Sequence, residues 1–429
     1  MKIRSFLKKI MFGVGLLTIV VSCREDDPSP SINDNEDPYV FVYDIMQDVY
    51  FWNEEVPDNV DIYSYATPFD LLDALIFRED RFTALFANGQ EVFELITSGE
   101  SLDFGFGRKR DEDGILRVAY VYPNTPAAQA GLVRGDKILK VNGTDITNPA
   151  TGFQLTETTT FEIENIEEEV RSVSITAINI KVDGIVYQEV LEVEGTKVGY
   201  LVYEIFLNDE ASIAGLLEVF ATFKAQGVTE MVLDLRYNGG GSVAASLNLG
   251  SHLAPASAMG EVFVRQTFNE RYTAENESLL FEEKINNLNL SRLFVITTGS
   301  TASASELIIN GLRPFMSVFT IGGQTSGKNV GSFAILNEAI DYLFLPIVFE
   351  SQNANGNADY ANGFTPDFTE IDDLERDFGD PQEASLAAAL YYIENGSFPA
   401  PAARRGNQLN DSKVIRYRDL QDIPMFIEK

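Results

Sequence analysis

Residues 231–242 of the chain have the sequence MVLDLRYNGGGS. The first five residues are almost entirely apolar, which is typical of a strand buried on both faces of a parallel sheet. Three consecutive glycines follow, and glycine lets the backbone turn sharply and approach a ligand closely. The stretch therefore predicts a buried strand, a turn open to a ligand and then a helix, which is the repeating unit of an α/β fold.

The same alternation continues on both sides of this stretch. Apolar runs at 198–203, 293–298 and 318–321 predict strands, and residues 210–225 and 304–312 predict helices between them. We therefore expect an α/β core over residues 181–400, followed by a C-terminal extension at 401–429.

Two regions of different character precede this core. Residues 39–100 have apolar positions at helical spacing, which predicts a helical N-terminal domain. Residues 101–180 change to short strands and turns, with a Gly C-cap at Gly131 and an Asn-Gly hairpin signal at Asn142. The chain is thus expected to contain three folded units.

The amino-terminal sequence predicts an export signal and a membrane anchor. Basic residues precede a short apolar run at 10–21, which is the layout of a secretory signal and is too short to span a bilayer. The run ends at Cys23, and residues 20–23 resemble the lipobox of bacterial lipoproteins, in which the cysteine is lipidated. Residues 24–38 are acidic and rich in Pro, Ser and Asn, which indicates a flexible tether. We expect a cell-envelope lipoprotein of the outer membrane, held by its lipid alone.

Composition excludes several functions. The chain has 32 basic and 65 acidic side chains, a net charge of −33, so we expect no nucleic-acid partner. It has one cysteine and one histidine, His252, which excludes an internal disulfide and a Cys-rich metal site. We therefore expect neither a metal nor another cofactor.

Two further stretches carry the candidate chemistry. Residues 299–306, GSTASASE, follow a predicted strand and open a helix, where free N–H groups favour developing negative charge. Residues 322–328, GGQTSGK, follow the next strand, and a lysine buried there would have the lowered pKa that a general base needs. The second stretch is not a phosphate loop, because Asn329 stands where Ser or Thr is required.

Taken together, these stretches resemble the C-terminal processing (tail-specific) proteases, here in the form of a Bacteroidetes-type lipoprotein. Residues 125–143 also resemble the signature of a PDZ domain. The resemblance extends to residues 80–83, 363–367 and 379–381 and spans nearly all of the chain after residue 38. It implies an α/β multidomain protein: an N-terminal helical segment, a PDZ-like β-rich domain and an α/β core of the ClpP/crotonase type with a Ser–Lys protease site.

The resemblance also assigns roles to residues. Ser303 would be the nucleophile and Lys328, 25 positions later, the general base. Backbone N–H groups would form the oxyanion hole, and a glycine-containing loop of the PDZ domain would bind a peptide carboxylate. The implied residues are Gly240, Gly241 and Ala304 for the oxyanion, and Phe104, Gly105, Phe106 and Gly107 for the peptide.

The chain departs from the family pattern at two positions. The family often has a Gln that orients the lysine shortly after it, whereas this chain continues Asn-Val-Gly-Ser, so Glu306 or Ser332 is the candidate for that role. Many members carry an acidic residue about eleven positions after the nucleophile, where this chain has Pro314.

The leading hypothesis is a serine endopeptidase that cuts unfolded or C-terminally exposed polypeptides through an acyl-enzyme. The alternative is a catalytically silent lipoprotein that binds peptides or other ligands through its PDZ domain. A third class, a carbohydrate-binding or scaffold lipoprotein, predicts exposed aromatic platforms, and Tyr360 is the only aromatic residue in the polar run 352–362. The sequence makes no prediction of the oligomeric state.

Overall fold

The computed structural model describes residues 36–111 and 113–400, together with the backbone of residues 426–427. The predicted signal peptide, the predicted lipidation site at Cys23, most of the predicted tether and most of the C-terminal extension lie outside the described residues.

Eight α-helices occur in the described residues. They are α1 (Pro38–Asp48), α2 (Pro68–Leu75), α3 (Gly89–Ser98), α4 (Pro126–Gln129), α5 (Glu210–Gln226), α6 (Val243–Leu253), α7 (Ala304–Leu312) and α8 (Ala384–Asn395).

The strands are numbered β1 to β23 along the described part of the chain. The N-terminal region and the β-rich domain contain β1 (Ala84–Phe86), β2 (Glu100–Asp103), β3 (Phe106–Arg110), β4 (Leu116–Val121), β5 (Lys137–Val141), β6 (Thr144–Asp145), β7 (Thr158–Glu164), β8 (Val170–Thr176) and β9 (Ile178–Lys181). The core contains β10 (Ile185–Val193), β11 (Thr196–Tyr203), β12 (Glu230–Asp234), β13 (Gly241–Ser242), β14 (Val262–Phe268), β15 (Glu277–Leu280), β16 (Arg292–Thr297), β17 (Ser317–Gly322), β18 (Val330–Ser332), β19 (Ile335–Asn337), β20 (Tyr342–Leu345), β21 (Ile347–Gln352) and β22 (Phe368–Thr369). The C-terminal extension contributes β23 (Phe426–Ile427).

The predicted α/β core is built on a six-stranded sheet of order β10-β11-β12-β16-β17-β22. All of its neighbouring pairs are parallel except that of the edge strand β10 with β11. One face packs on α5, α6 and α7, and the other packs on α8 and on part of β4. The strands β12, β16 and β17 therefore direct the three motif loops to the same carboxyl edge, where α/β sheets usually bind ligands.

A second layer lies beside this edge. It contains an antiparallel sheet of order β15-β14-β21-β18 and a smaller sheet of order β1-β20-β19. The helices α1 and α2 pack on it, with Phe41, Ile45 and Leu71 against Phe344 and Val348. The N-terminal region is thus joined to the core through a shared hydrophobic cluster.

The N-terminal helices begin as their sequence predicts. Asp37 caps α1 by accepting hydrogen bonds from the N–H groups of Tyr39 and Val40, and Thr67 caps α2, which has a proline at its first position. The prediction of a purely helical region was incomplete, because β1 and β2 also lie there. The strand β1 forms by pairing with β20, about 260 residues away in sequence, which local patterns cannot indicate.

The β-rich domain has a sheet of order β3-β4-β5-β7-β8, with β6 paired to β5 and a separate β2-β9 pair. The predicted Asn-Gly hairpin joins β5 to β6, where Asn142 has φ 49° and Gly143 has φ 80°. Between β6 and β7, residues 147–157 contain no helix.

No helix in the described part of the chain is both long enough and apolar enough to cross a membrane.

Candidate active site

The turn before α7 holds Ser303 in an unusual backbone conformation. Ser303 has φ 55° and ψ −114°, a region that costs a non-glycine residue about 1–3 kcal/mol and is found at functional sites. Neighbouring backbone and side chains fix the turn: Thr301 Oγ1 donates to Leu235 O at 2.8 Å, and Ala302 N donates to Asn238 O at 3.1 Å. The side chain of Ser303 is thereby placed at the start of a helix, as predicted, and the residue is 8% exposed.

The triple-glycine loop lies directly against Ser303. Gly240 has φ 117° and Gly241 has φ 132°, conformations that favour glycine. A Cβ atom on Gly240 would stand only 2.8 Å from Ser303 Cβ and 3.2 Å from Ala304 N. The three residues predicted for the oxyanion hole are therefore brought together beside the candidate nucleophile.

The amide groups of this loop are not equivalent. Gly240 N donates to Asn238 Oδ1 at 2.8 Å, so its hydrogen is already engaged. On one edge of the loop, Ser242 N donates to Phe206 O and Phe206 N donates to Gly240 O. Since backbone groups alternate in direction along a strand, the N–H and C=O of Gly241 face the opposite edge. Gly241 and the helix-terminal Ala304 are accordingly the better placed pair of donors.

One buried carboxylate holds the candidate nucleophile and the candidate base together. Glu306 Oε2 accepts hydrogen bonds from Ser303 N at 3.0 Å and from Lys328 N at 2.8 Å. Its Oε1 accepts from Thr325 Oγ1 at 2.6 Å and from Gly327 N at 2.8 Å. Burial raises the pKa of Glu306, and these four hydrogen bonds oppose that shift because they favour the carboxylate.

Lys328 is deeply buried, with 2% of its surface exposed. Burial lowers the pKa of Lys328 well below its usual value, and the carboxylates of Asp80 and Glu306 oppose this only in part. A lysine with a lowered pKa can be neutral near neutral pH and accept a proton, which an exposed lysine cannot do efficiently.

The N-terminal region completes the surroundings of Lys328. Lys328 Nζ lies 5.5 Å from the centre of the Phe82 ring. Asp80 is fixed by hydrogen bonds from Tyr50 Oη at 2.8 Å and from Phe82 N at 2.8 Å. Arg81 Nη2 donates to Ala361 O at 2.7 Å, which ties the same segment to the core. Residues 80–83 were noted in the sequence only as part of a resemblance, and their contact with Lys328 was missed.

Ser303 and Lys328 line one small cleft. Ser332, the second candidate for orienting the lysine, lines it as well, and its buried Oγ has no hydrogen-bond partner among the described residues. The remaining walls are mainly apolar or backbone: Gly241, Val243, Leu307, Val330, Gly331, Phe349 and Ser351. The cleft thus combines the buried amine of Lys328 with the serine side chains of Ser303, Ser332 and Ser351, beside mainly apolar walls.

His252 does not line this cleft. It lies in α6 and stacks on Phe220 with ring centres 4.5 Å apart. Burial lowers the pKa of His252 to about 4, so the imidazole is neutral in the folded protein near neutral pH. These contacts fit a core histidine.

The predicted peptide-binding loop of the β-rich domain is closed by its own contacts. The rings of Phe104 and Phe106 are buried in the domain core, and Gly105 N donates to Asp103 Oδ1 at 2.6 Å. Gly107 pairs with Tyr120 in the sheet. Carboxylate binding by this loop stays a prediction, with one of its amides already occupied.

A buried ionic cluster joins the β-rich domain to the triple-glycine loop. Asp372 contacts Lys109 at 3.1 Å and Arg134 at 2.9 Å from the β-rich domain, and Arg236 at 3.0 Å from the loop. Burial raises the pKa of Asp372, but the three cations outweigh it and hold that pKa well below its usual value. The sequence analysis assigned no role to these residues.

Comparison with known proteins agrees with this architecture. The model of peptidase family S41 matches residues 197–369, and that of the S41 N-terminal domain matches residues 39–84. The chain belongs to peptidase family S41. A PDZ-domain model also matches residues 117–155. The family and the fold class expected from the sequence are thus confirmed.

Individual relatives of this S41 chain are distant. It is 27% identical over 270 residues to a carboxyl-terminal-processing protease of Picosynechococcus, which covers 60% of this chain and 62% of that protein. It is 26% identical over 232 residues to the carboxy-terminal-processing protease of Bartonella bacilliformis, covering 51% of this chain and 50% of that protein. The chain therefore matches about half to three-fifths of the length of these curated relatives.

A crystal structure from Bacteroides fragilis, classed with the S41 proteases, superposes with a TM-score of 0.71. The identity is 27%, and the match covers 87% of this chain and all of the other. The similarity therefore includes the N-terminal region, the PDZ domain and the core.

Proposed function

We propose that this S41 chain is a serine endopeptidase in which Ser303 is the nucleophile and Lys328 the general base. The observation that carries the proposal is Glu306, whose carboxylate binds the backbone N–H groups of both residues. Two residues 25 positions apart are thereby held at one cleft, the arrangement that a Ser–Lys variant of triad chemistry requires.

The first half of the reaction forms an acyl-enzyme. Neutral Lys328 Nζ takes the proton from Ser303 Oγ, and Oγ attacks the carbonyl carbon of the scissile peptide bond. The oxyanion that forms would be stabilised by the N–H groups of Gly241 and Ala304. The protonated Lys328 then gives its proton to the leaving amine, which departs as the first product.

The second half hydrolyses the ester. Lys328 takes a proton from water, the hydroxide oxygen attacks the acyl carbon, and Ser303 Oγ leaves and regains the proton from Lys328. The buried hydroxyl of Ser332 lies at the same cleft, so we assign it the orienting role that Gln has in many relatives. Ser332→Ala should change the pH dependence of kcat rather than KM alone.

The substrate proposed is polypeptide that is unfolded or exposes its C-terminus. It rests on the relatives that are named carboxyl-terminal-processing proteases and on the mainly apolar walls of the cleft. We also propose, from the sequence of residues 1–38 alone, that the enzyme is a cell-envelope lipoprotein anchored through Cys23.

Hydrolysis of unfolded casein by the chain without residues 1–23 tests the proposal. Ser303→Ala and Lys328→Ala should each lower kcat by at least about 10³-fold, since nucleophile and base act as a unit. Ser300→Ala, in the same turn, is the matched control and should retain activity. Equal hydrolysis by all four proteins would refute the assignment, and a folded but inactive parent would favour the silent ligand-binding alternative.

A further inference from the structure

A buried amide lies one strand away from the cleft without a hydrogen-bond partner for its oxygen. Gln266, in β14, is 2% exposed, and its Oε1 atom accepts no hydrogen bond from the described residues. Leaving a buried acceptor unsatisfied is unfavourable, and most buried polar groups in native proteins are paired. The stability of the fold therefore does not explain a glutamine at this position.

The sheet register places Gln266 on the face of the sheet that borders the cleft. β14 pairs antiparallel with β21, with Gln266 opposite Ser351 and Phe268 opposite Phe349. Directly opposite residues have their side chains on the same face, and the rings of Phe268 and Phe349, with centres 5.7 Å apart, agree with this. Phe349 and Ser351 are both walls of the cleft. The side chain of Gln266 thus begins about 5 Å from that of Ser351, a distance that a glutamine can span.

The walls near this polar end are close together and mainly apolar. The ring of Phe349 packs on Gly331, where an added Cβ atom would stand 2.0 Å from the ring. Leu307, in α7, forms another wall. A substrate side chain that enters the cleft would therefore meet apolar atoms along its length and the polar groups of Ser351 and Gln266 at its end.

The polar groups at this end carry no charge, which restricts the side chain that they can bind. A hydroxyl oxygen and an amide oxygen both accept hydrogen bonds, so the best partner is a neutral donor. Burial of a charged side chain without an opposite charge is strongly unfavourable, and the narrow cleft disfavours a long one. Serine and threonine combine a small size with an O–H donor.

We propose that Gln266 and Ser351 form the polar end of a specificity pocket, and that the enzyme prefers serine or threonine at the substrate residue whose carbonyl Ser303 attacks. The Cα atom of that residue is bonded to the attacked carbon, so its side chain is the one that must lie beside Ser303. The preference in cleavage rests on the proposed protease function, whereas binding of a hydroxyl-bearing side chain does not.

Cleavage of two matched peptides tests the proposal. Their sequence is that of the casein site which the parent cuts fastest, with either Thr or Val before the cut, because these side chains have similar shapes and only Thr has a hydroxyl. The parent should cleave the Thr peptide with a kcat/KM at least about tenfold higher, since Val leaves the polar groups of the pocket unpaired. Gln266→Met keeps the approximate volume but removes the amide, and should lower this ratio to less than about threefold.

Gln352→Met is the matched control. Gln352 follows Ser351 in β21, so its side chain is on the opposite face of the sheet, and the variant should retain the parent ratio. Gln266→Met should unfold in urea at the same concentration as the parent or a higher one, because it removes an unpaired buried acceptor. A parent ratio near one, or an unchanged ratio in a folded Gln266→Met protein, would overturn the proposal.

A binding measurement separates the pocket from the protease function. Alanine-rich peptides that end in Thr or in Val are titrated by calorimetry into the Ser303→Ala protein, which needs no catalysis. The Thr peptide should bind at least about fivefold more tightly, and adding Gln266→Met should abolish the difference. If casein is not hydrolysed by the parent, the protease proposal fails and this measurement alone decides the pocket. Equal binding of the two peptides, or no binding of either, would overturn it.

Discussion

The turn that carries Ser303 and the turn that carries Gly105 differ in how they use their polar groups. The first is held by contacts to two neighbouring loops and leaves a hydroxyl and the Gly241 edge at a cleft. The second turns Gly105 N toward Asp103 and buries its two phenylalanine rings. Both retain the sequence pattern of a binding loop, but only the first is arranged around a cleft with reactive groups.

The surroundings of the two turns deepen the contrast. In the β-rich domain, residues 147–157 contain no helix, and Phe153 lies beside β3 with its ring 5.7 Å from the Arg108 guanidinium. The segment that lies beside β3 in this PDZ domain is therefore an irregular one. The domain contacts the core both through the ion pairs of Asp372 and through the packing of β4 on the core sheet.

The largest expected effect concerns Glu306, whose carboxylate binds the backbone N–H groups of both Ser303 and Lys328. Glu306→Gln replaces one acceptor oxygen with an NH2 group, which cannot accept the hydrogen bonds of the facing N–H groups. We expect kcat to fall by about 10²–10³-fold, measured on casein. Glu338→Gln, at an exposed position, is the matched control. Activity within threefold of the parent would show that this carboxylate does not position the pair.

The next effect concerns the junction between the β-rich domain and the α/β core. Asp372→Asn removes the charge that faces Lys109, Arg134 and Arg236. Arg236 keeps its ion pairs with Asp234 and Glu383, but Lys109 and Arg134 lose the carboxylate that they contact, and breaking buried ion pairs costs about 3–5 kcal/mol of unfolding free energy. Urea unfolding checks the loss, with Asp359→Asn at an exposed site as control. A loss below about 1 kcal/mol would mean that the cluster does not bind the β-rich domain to the core.

A smaller effect of opposite sign is expected at Lys328. In the unfolded chain, Lys328 holds its proton at every pH below the usual pKa of lysine, whereas in the folded chain it holds the proton only at much lower pH. The free energy of unfolding of the parent therefore rises as the pH rises from the folded-state pKa to the unfolded-state pKa. Lys328→Met should therefore stabilise the protein by roughly 1–3 kcal/mol at pH 7, and less near pH 10. Urea unfolding at both pH values measures this, and Lys224→Met, at an exposed position of α5, should show no such difference. A destabilised Lys328→Met protein at pH 7 would contradict the burial argument.

The smallest effect on catalysis is expected in the β-rich domain. Phe153→Ala should change casein hydrolysis by less than about twofold and lower the unfolding free energy by about 1 kcal/mol, since Phe153 is only partly buried. A large change in KM without a change in stability would instead indicate that peptides bind beside β3. The Gly105 turn would then be a binding site, as the Ser303 turn is proposed to be.

Much of the core could be predicted because its signals are local. The strand-turn-helix pattern placed Ser303 and Lys328 on neighbouring loops, and their spacing matched a family pattern. Glu306 was identified as a neighbour, but its four hydrogen bonds depend on how two loops meet in space. The contact of Phe82 with Lys328 joins positions about 250 residues apart, which no periodicity reveals.

Other features were beyond local patterns for different reasons. The PDZ signature at residues 125–143 indicated the fold, but it says nothing about the segment at 147–157. The pairing of Ile427 with Ser242 involves two residues, too few for any alternating pattern to mark a strand.

The position of Phe82 over Lys328 has a consequence for the order of synthesis. Phe82 is made early, whereas Lys328 and the cleft strand β21 are made more than two hundred residues later. Until these segments meet, the amine stays hydrated and charged, and a charged amine cannot accept the proton of Ser303. A chain made only as far as Ser303 should therefore carry the proposed nucleophile without its proposed base, and activity should require synthesis through β21.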